Sequence, residues 1–298
     1  MISPILSFQN PYFQNNRQCQ IAFQGRDLLK LTSLGITRKV RCAVRDVANV
    51  IGSGGEGVVY KIPKTDYCVK ITGEDIFYFG NWNMNVPIPE KVNHVVAISD
   101  NGTRMMKIIN GEHLNYFNNP EEVYNLPIES YAEILKQIAN AKKYGKFFDV
   151  SPQNIIYDSQ KKSLTAIDFT EKDFFDYDKF LPLSQLYAAM QDVTPTIGAS
   201  KKNRHLIARL LQTTIEPLSK EEAKEFPIYY EDVGLLLSYG LKMLPQGTSA
   251  KMFNDLKKNI FEILKLKEDK FQSAENKILL AKKIKTVQKQ IDKVFCAE

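Results

Sequence analysis

Between Arg45 and Ile109 the chain is written in short β-branched runs broken by Gly, Pro and Asp; from Pro127 onward its apolar residues fall three and four apart. The first texture suits strands and the second suits one face of a helix, so a single element type cannot fill this chain. "VANVIG", "GVVYKI", "YCVKIT", "NHVVAISD" and "TRMMKII" predict an antiparallel sheet of about five strands over residues 46–109. The turn Asp100–Gly102 between the last two is a strong hairpin signal. Tyr131, Ile134, Leu135, Ile138 and Ala141 then mark a helix, with Pro127 in its first turn and Gly145 at its end. "NIIYD" and "SLTAIDF" read as two more strands, and five helical segments follow. The fold class expected is α+β: a small antiparallel sheet, then a larger helical part. Residues 1–45 read as a partly extended lead-in.

With 298 residues, 44% hydrophobic and 25% charged, the chain is long enough for two lobes or domains. No run approaches the roughly 18 apolar residues of a membrane span. The opening "MISPILSFQN" has neither basic n-region nor long apolar h-region, so no secretory signal peptide is expected. Cys19, Cys42, Cys68 and Cys296 are scattered, which predicts reduced thiols rather than a disulfide framework or zinc site. His94, His113 and His205 have no metal-ligand spacing and read as incidental. Residues 201–298 hold 19 Lys and Arg against 13 Asp and Glu, the whole of the net charge of +6.

Chemistry concentrates in three places. Gly52, Ser53, Gly54, Gly55, Gly57 and Val59 form GxGxxGxV, where glycines let backbone N–H groups approach phosphate. Because a strand follows rather than a helix, the stretch is either a phosphate cover between strands or a plain glycine-rich hairpin. Lys70 lies inside the apolar run "YCVKI"; an ammonium there asks for anions, unless it faces solvent on an edge strand. "FFDVSPQNIIYD" and "AIDF" place Asp149, Asn154 and Asp168 in an order that can orient a hydroxyl and hold a divalent cation.

In order and approximate spacing these residues resemble the protein kinase family over residues 46–195. The resemblance implies a bilobal fold, with an N-lobe at 46–109, a reduced C-lobe at 110–200 and a helical basic extension at 201–298. It implies ATP with Mg²⁺ or Mn²⁺ as cofactors. Gly52, Ser53, Gly54, Gly55, Gly57 and Val59 would cover the phosphates, and Lys70 would pair with them. Asp149 would be the catalytic base, and Asn154 and Asp168 the metal ligands. Cys68 would lie against adenine, and Met106 to Asn110 would be the adenine-side connector. Glu74 is the expected carboxylate partner of Lys70, on a shortened helix "EDIFYFGNW", with Glu90 in reserve.

Departures limit the likeness. Phe147-Phe148 replaces the family's His-Arg, Ser151 stands where a lysine is usual, and Asp168-Phe169-Thr170 ends without glycine. With "RMMKIINGEHL", these abbreviations are similar to compact kinase effectors that bacterial pathogens inject into host cells. That likeness implies an atypical Ser/Thr protein kinase, exported from the bacterial cytoplasm into host cytoplasm. It would phosphorylate a host protein with help from an activator, either a ubiquitin conjugate or an inositol polyphosphate. The alternatives are a pseudokinase scaffold, or a small-molecule kinase or nucleotidyl transferase on the same fold. In the basic third, Lys201, Lys202, Arg204, Arg209, Lys282, Lys285, Lys289 and Lys293 could meet an inositol phosphate or anionic lipid surface, or form a solvated face. No aromatic residues interleave them, so nucleic acid is not expected.

Overall fold

A computed structural model describes residues 28–54, 57–72, 78–114, 120–171, 181–193, 197–216, 230–268 and 274–296. It is α+β and divides into two compact units. One takes the described residues up to Val86 together with His94–Ile108; the other takes Pro87–Asn93 and everything from Ile109 onward.

The first unit is a sheet with a helix on one face. Its strands are β1 (Val50–Gly54), β2 (Gly57–Lys61), β3 (Tyr67–Ile71), β4 (Trp82–Asn83), β5 (Val95–Ser99) and β6 (Arg104–Lys107), all antiparallel in the order β1-β2-β3-β6-β5-β4. Five of the six are the strands the sequence predicts, although "VANVIG" begins with a 3₁₀ turn at Val47–Asn49, which Asp46 caps by accepting from Ala48 N–H at 3.0 Å. The Asp100–Gly102 turn joins β5 to β6, and Gly102 carries the positive φ (81°) it requires. The sixth strand lies where a helix ending at Trp82 was expected. Tertiary contacts fix it: Trp82 Nε1 donates to Thr37 Oγ1 at 3.0 Å, and its ring stacks on Phe79 at 5.9 Å. Residues 73–77 of that expected helix, Glu74 among them, lie outside the described residues.

Helix α1 (Ser33–Val44) falls in the segment expected as a lead-in. Thr32 caps it, accepting from Gly35 N–H. Ile36, Val40 and Ala43 sit at helical spacing and are fully buried with Val69, Ile71, Ala97 and Met105 from one face of the sheet.

The second unit is mostly helical: α2 (Ile88–Lys91), α3 (Pro120–Tyr124), α4 (Ile128–Lys143), α5 (Pro182–Met190), α6 (Ile197–Ile215), α7 (Tyr230–Leu241), α8 (Ala250–Glu268) and α9 (Ala274–Phe295). Strands β9 (Ile155–Asp158) and β10 (Ser163–Ala166) form the hairpin that "NIIYD" and "SLTAIDF" predict. A short β7 (Glu112–His113) adds to β9, and β8 (Lys146–Phe148) pairs with β11 (Phe169–Glu171). Helix α4 runs as predicted, with Pro127 at its N-cap and Gly145 at φ 71° beyond its end.

The division between 110–200 and a helical extension at 201–298 does not describe the packing. One hydrophobic core runs from Val123 through Ile134, Leu164, Leu186, Leu210 and Leu236 to Ile291 and Phe295. The reason is apolar continuity: α6 packs on α4 and on α9, so the last helix closes the core that α4 begins.

Candidate functional site

The expected site residues fall in both units. In the sheet unit, cross-strand register sets their facing. Gly52 pairs with Val59, Val59 with Lys70, and Lys70 with Arg104; one step along, Cys68 pairs with Met106. Directly opposed residues, and residues two apart on a strand, share a face. Gly52, Val59, Cys68, Lys70 and Met106 therefore lie on one face, and Val69, Ile71 and Met105 on the other, against α1. Met106 lies within β6 rather than in the connector after it. Cys68 is buried; burial pushes its thiol up to about 11, and Sγ donates to the Met106 carbonyl at 3.7 Å. It is a packing group, not a nucleophile. Ser53 and Gly54 end β1, Gly55 lies outside the described residues, and Gly57 opens β2.

Gly57 is a glycine for a steric reason. Its φ is 139°, and a Cβ there would stand 2.1 Å from the carbonyl oxygen of Ile71. That close approach seats the tip of the β1–β2 hairpin against β3.

In the helical unit, Asp149, Asn154 and Asp168 come together. β8 and β11 are antiparallel with Phe148 opposite Phe169, so Asp149, which follows Phe148, and Asp168, which precedes Phe169, both leave the same end of the ribbon. Phe148 and Phe169 anchor it, rings 5.8 Å apart and both buried. The chain then turns through a 3₁₀ segment at Pro152–Asn154, where Ser151 Oγ accepts from Gln153 N–H at 3.3 Å. This returns Asn154 to Asp149: Nδ2 donates to Asp149 Oδ2 and to its main-chain carbonyl, each at 3.1 Å. The Asn154 carbonyl accepts from Ile167 N–H at 2.9 Å, tying the turn to the residue before Asp168. Asp168 has φ 61°, a left-handed conformation that few non-glycine residues adopt and that concentrates at functional sites.

Three supporting residues carry no motif. Asn93 is hydrogen-bonded to both backbone groups of Phe169: Oδ1 accepts from N–H at 2.7 Å and Nδ2 donates to the carbonyl at 2.8 Å. Glu90, the reserve partner for Lys70, has its carboxylate 3.2 Å from the buried Lys146 ammonium of β8. His113 Nδ1 lies 2.5 Å from the Gln153 carbonyl; a carbonyl only accepts, so Nδ1 carries the proton. In sequence each is a lone polar residue: Glu90 is read there with a different partner, His113 reads as incidental, and Asn93 carries no signal.

With its amide N–H committed to Asp149, Asn154 offers its carbonyl oxygen Oδ1. Together with two carboxylates this is an all-oxygen donor set, which suits a hard divalent cation shared with phosphate oxygens. Among the described residues no group of three or more His, Cys, Asp or Glu is placed to hold a metal by itself.

The eight basic residues of the last third do not form one surface. Arg204 donates from Nε to the Phe295 carbonyl (3.2 Å) and from Nη1 to that of Met243 (3.4 Å), while Arg209 donates to Gln212 Oε1. Lys202 lies 3.7 Å from Asp192. Arg204, Arg209 and Lys202 have internal partners because α6 packs inside the helical unit. Lys282, Lys285, Lys289 and Lys293 are all exposed, opposite the buried Leu280, Ile284, Val287, Ile291 and Val294.

The chain matches no protein-family model and no curated protein. No helix among the described residues is long and apolar enough to cross a membrane.

Proposed function

We propose that this protein is an atypical Ser/Thr protein kinase that transfers the γ-phosphate of ATP to a protein hydroxyl. The observation that carries the reading is the Asp149–Asn154–Asp168 arrangement. Asp149 and Asp168 flank the paired Phe148 and Phe169 at one end of the β8–β11 ribbon, and Asn154, bonded to the Asp149 carboxylate and to the N–H of Ile167, adds an amide oxygen to this oxygen-rich cluster. Within the sheet unit, Gly52, Val59, Lys70, Cys68 and Met106 share one face, which agrees with the reading.

In this reading Asp149 receives the substrate hydroxyl, and Asn154 holds that carboxylate in place. Asn154 Oδ1 and Asp168 would hold Mg²⁺, which when bound draws charge from the phosphate oxygens. Lys70 would steady the phosphates as a fixed positive charge. Catalysis is then mainly positioning and electrostatics. The effector role inside a host cell and the need for a host activator rest on the sequence resemblance alone.

The test is transfer of radiolabelled phosphate from ATP, with and without eukaryotic cell extract. The expected result is incorporation that Asp168→Ala abolishes while cooperative unfolding is retained. Incorporation unchanged in that variant overturns the proposal. Intact-mass analysis separates added phosphate from added adenylate, and neither mark on any protein would favour the scaffold or the small-molecule kinase.

A further inference from the structure

Helix α9 has two unlike sides. Its inner side, from Leu280 to Val294, belongs to the core. At about 100° per residue, Ile278, Lys282, Lys285, Lys289 and Lys293 fall within one narrow outward stripe, with the four lysines spread over about 16 Å of helix. All four lysines are exposed, and among the described residues none has an acidic partner. Lys283, one position off the stripe, is by contrast paired with Glu262 of α8. Asp292 is the single acidic residue between Lys277 and Phe295; it lies beside the stripe, and its Oδ1 accepts from Gln212 Nε2 at 2.7 Å.

The apolar end of this stripe is the informative part. Ile278 and Leu279 are 61% and 62% exposed, so two large aliphatic side chains stand in water where the lysine row begins. Leu279 lies one turn before Lys283, which with Lys265 and Leu266 lines a hollow between α8 and α9. The adjacent exposed Ile278 and Leu279 set a small apolar patch against the end of the lysine row. A soluble polyphosphate needs cations converging on a point, whereas these four stand in file along one helix.

We propose that the outer face of α9 docks on an anionic bilayer surface. The lysines would lie over acidic headgroups, and Ile278 and Leu279 would enter the headgroup–acyl boundary. Near such a surface each lysine strengthens partition by about fivefold. The docking does not depend on the phosphotransfer reading.

The experiment is co-flotation of the full chain with vesicles of phosphatidylcholine alone or mixed with phosphatidylserine. Binding is expected only to the mixed vesicles, weakening as salt is raised. Replacing Lys282, Lys285, Lys289 and Lys293 by Glu is expected to weaken it by at least about a hundredfold. The same four positions as Gln provide a second variant if charge reversal disturbs folding. Ile278→Ser with Leu279→Ser is expected to reduce binding while keeping its salt dependence. Equal binding to both vesicle types, or binding unchanged in the lysine variants, overturns the proposal. Stoichiometric binding of inositol hexakisphosphate without vesicles, lost in the lysine variants, would overturn it in favour of a soluble polyphosphate.

Discussion

Asn93 grips the backbone of Phe169 from both sides, donating to its carbonyl and accepting from its N–H, 76 positions along the chain. The grip falls one residue beyond Asp168 and its left-handed φ, so it fixes where that carboxylate leaves β11. Asn93→Ala leaves two partly buried backbone groups without their partner and is expected to cost about 2–3 kcal/mol. Asn93→Asp keeps an acceptor for the N–H but sets a carboxylate against the carbonyl, and should not rescue the loss. Denaturant midpoints measure the first effect. If the phosphotransfer reading holds, transfer should fall further than stability alone explains, because Asp168 loses its fixed exit.

Asp232 is 1% exposed and caps a helix 48 positions earlier. Its carboxylate accepts from the N–H groups of Leu183 (2.7 Å) and Ser184 (2.9 Å) and from the Ser184 hydroxyl (2.5 Å). Leu181, the N-cap of α5, has no side chain able to do this. Asp232→Ala should cost about 2–4 kcal/mol by orphaning these donors. Burial raises the carboxyl above its usual range despite the hydrogen bonds. The folded state therefore holds this proton more tightly than the unfolded state does. The contribution is fully present below the unfolded value near 3.8 and is lost as pH rises through the raised native one. The difference in unfolding free energy between wild type and Asp232→Asn, followed across that window, should shrink as pH rises. A constant difference would sink the assignment.

What the sequence reveals and what it hides divide along physical lines. Helix α4 is legible because Tyr131, Ile134, Leu135, Ile138 and Ala141 repeat within one element, and Pro127 and Gly145 punctuate it locally. The two faces of α9 are legible for the same reason. Gly52, Lys70, Asp149, Asn154 and Asp168 are legible as an ordered series. Asn93 and Asp232 are not, because each meets a partner dozens of residues away and leaves no local period. Strand β4 is two residues held by Thr37 and Phe79, too short for any pattern. The internal ties of Arg204 and Arg209 are hidden because a basic residue looks the same in sequence whether it faces water or caps a carbonyl.

Gly57 and Gly52 should respond differently to the same methyl group. At Gly57 the added Cβ meets the Ile71 carbonyl at 2.1 Å in a backbone conformation that alanine resists. Gly57→Ala is therefore expected to cost about 2–4 kcal/mol and to loosen β2 from β3. At Gly52 the nearest atom is Val59 Cβ at 3.8 Å, an ordinary contact, and Gly52→Ala should change stability by less than about 1 kcal/mol. Gly52→Ala still places a methyl on the face shared with Val59 and Lys70. If the phosphotransfer reading holds, nucleotide binding measured by calorimetry should weaken in Gly52→Ala with the thermal midpoint almost unchanged. Equal thermal losses in the two variants would contradict the backbone geometry.

Phe295, at the last turn of α9, decides whether that helix is an appendage or part of the core. It is fully buried, meets Phe253 edge-on at 6.4 Å, and its carbonyl accepts from Arg204. Its ring fits because residue 240 is glycine: a Cβ there would lie 2.5 Å from the ring. Phe295→Ala should cost about 3–5 kcal/mol by opening a cavity. Gly240→Val should cost about 1–3 kcal/mol by overfilling the same place. Ending the chain at Ser273 removes Leu280, Ile284, Val287, Ile291, Val294 and Phe295 from the shared core, and the helical unit should then lose cooperative unfolding. Differential scanning calorimetry of the three variants checks this. A truncated chain that still melts cooperatively at the full-length temperature would show that α9 covers the core without completing it.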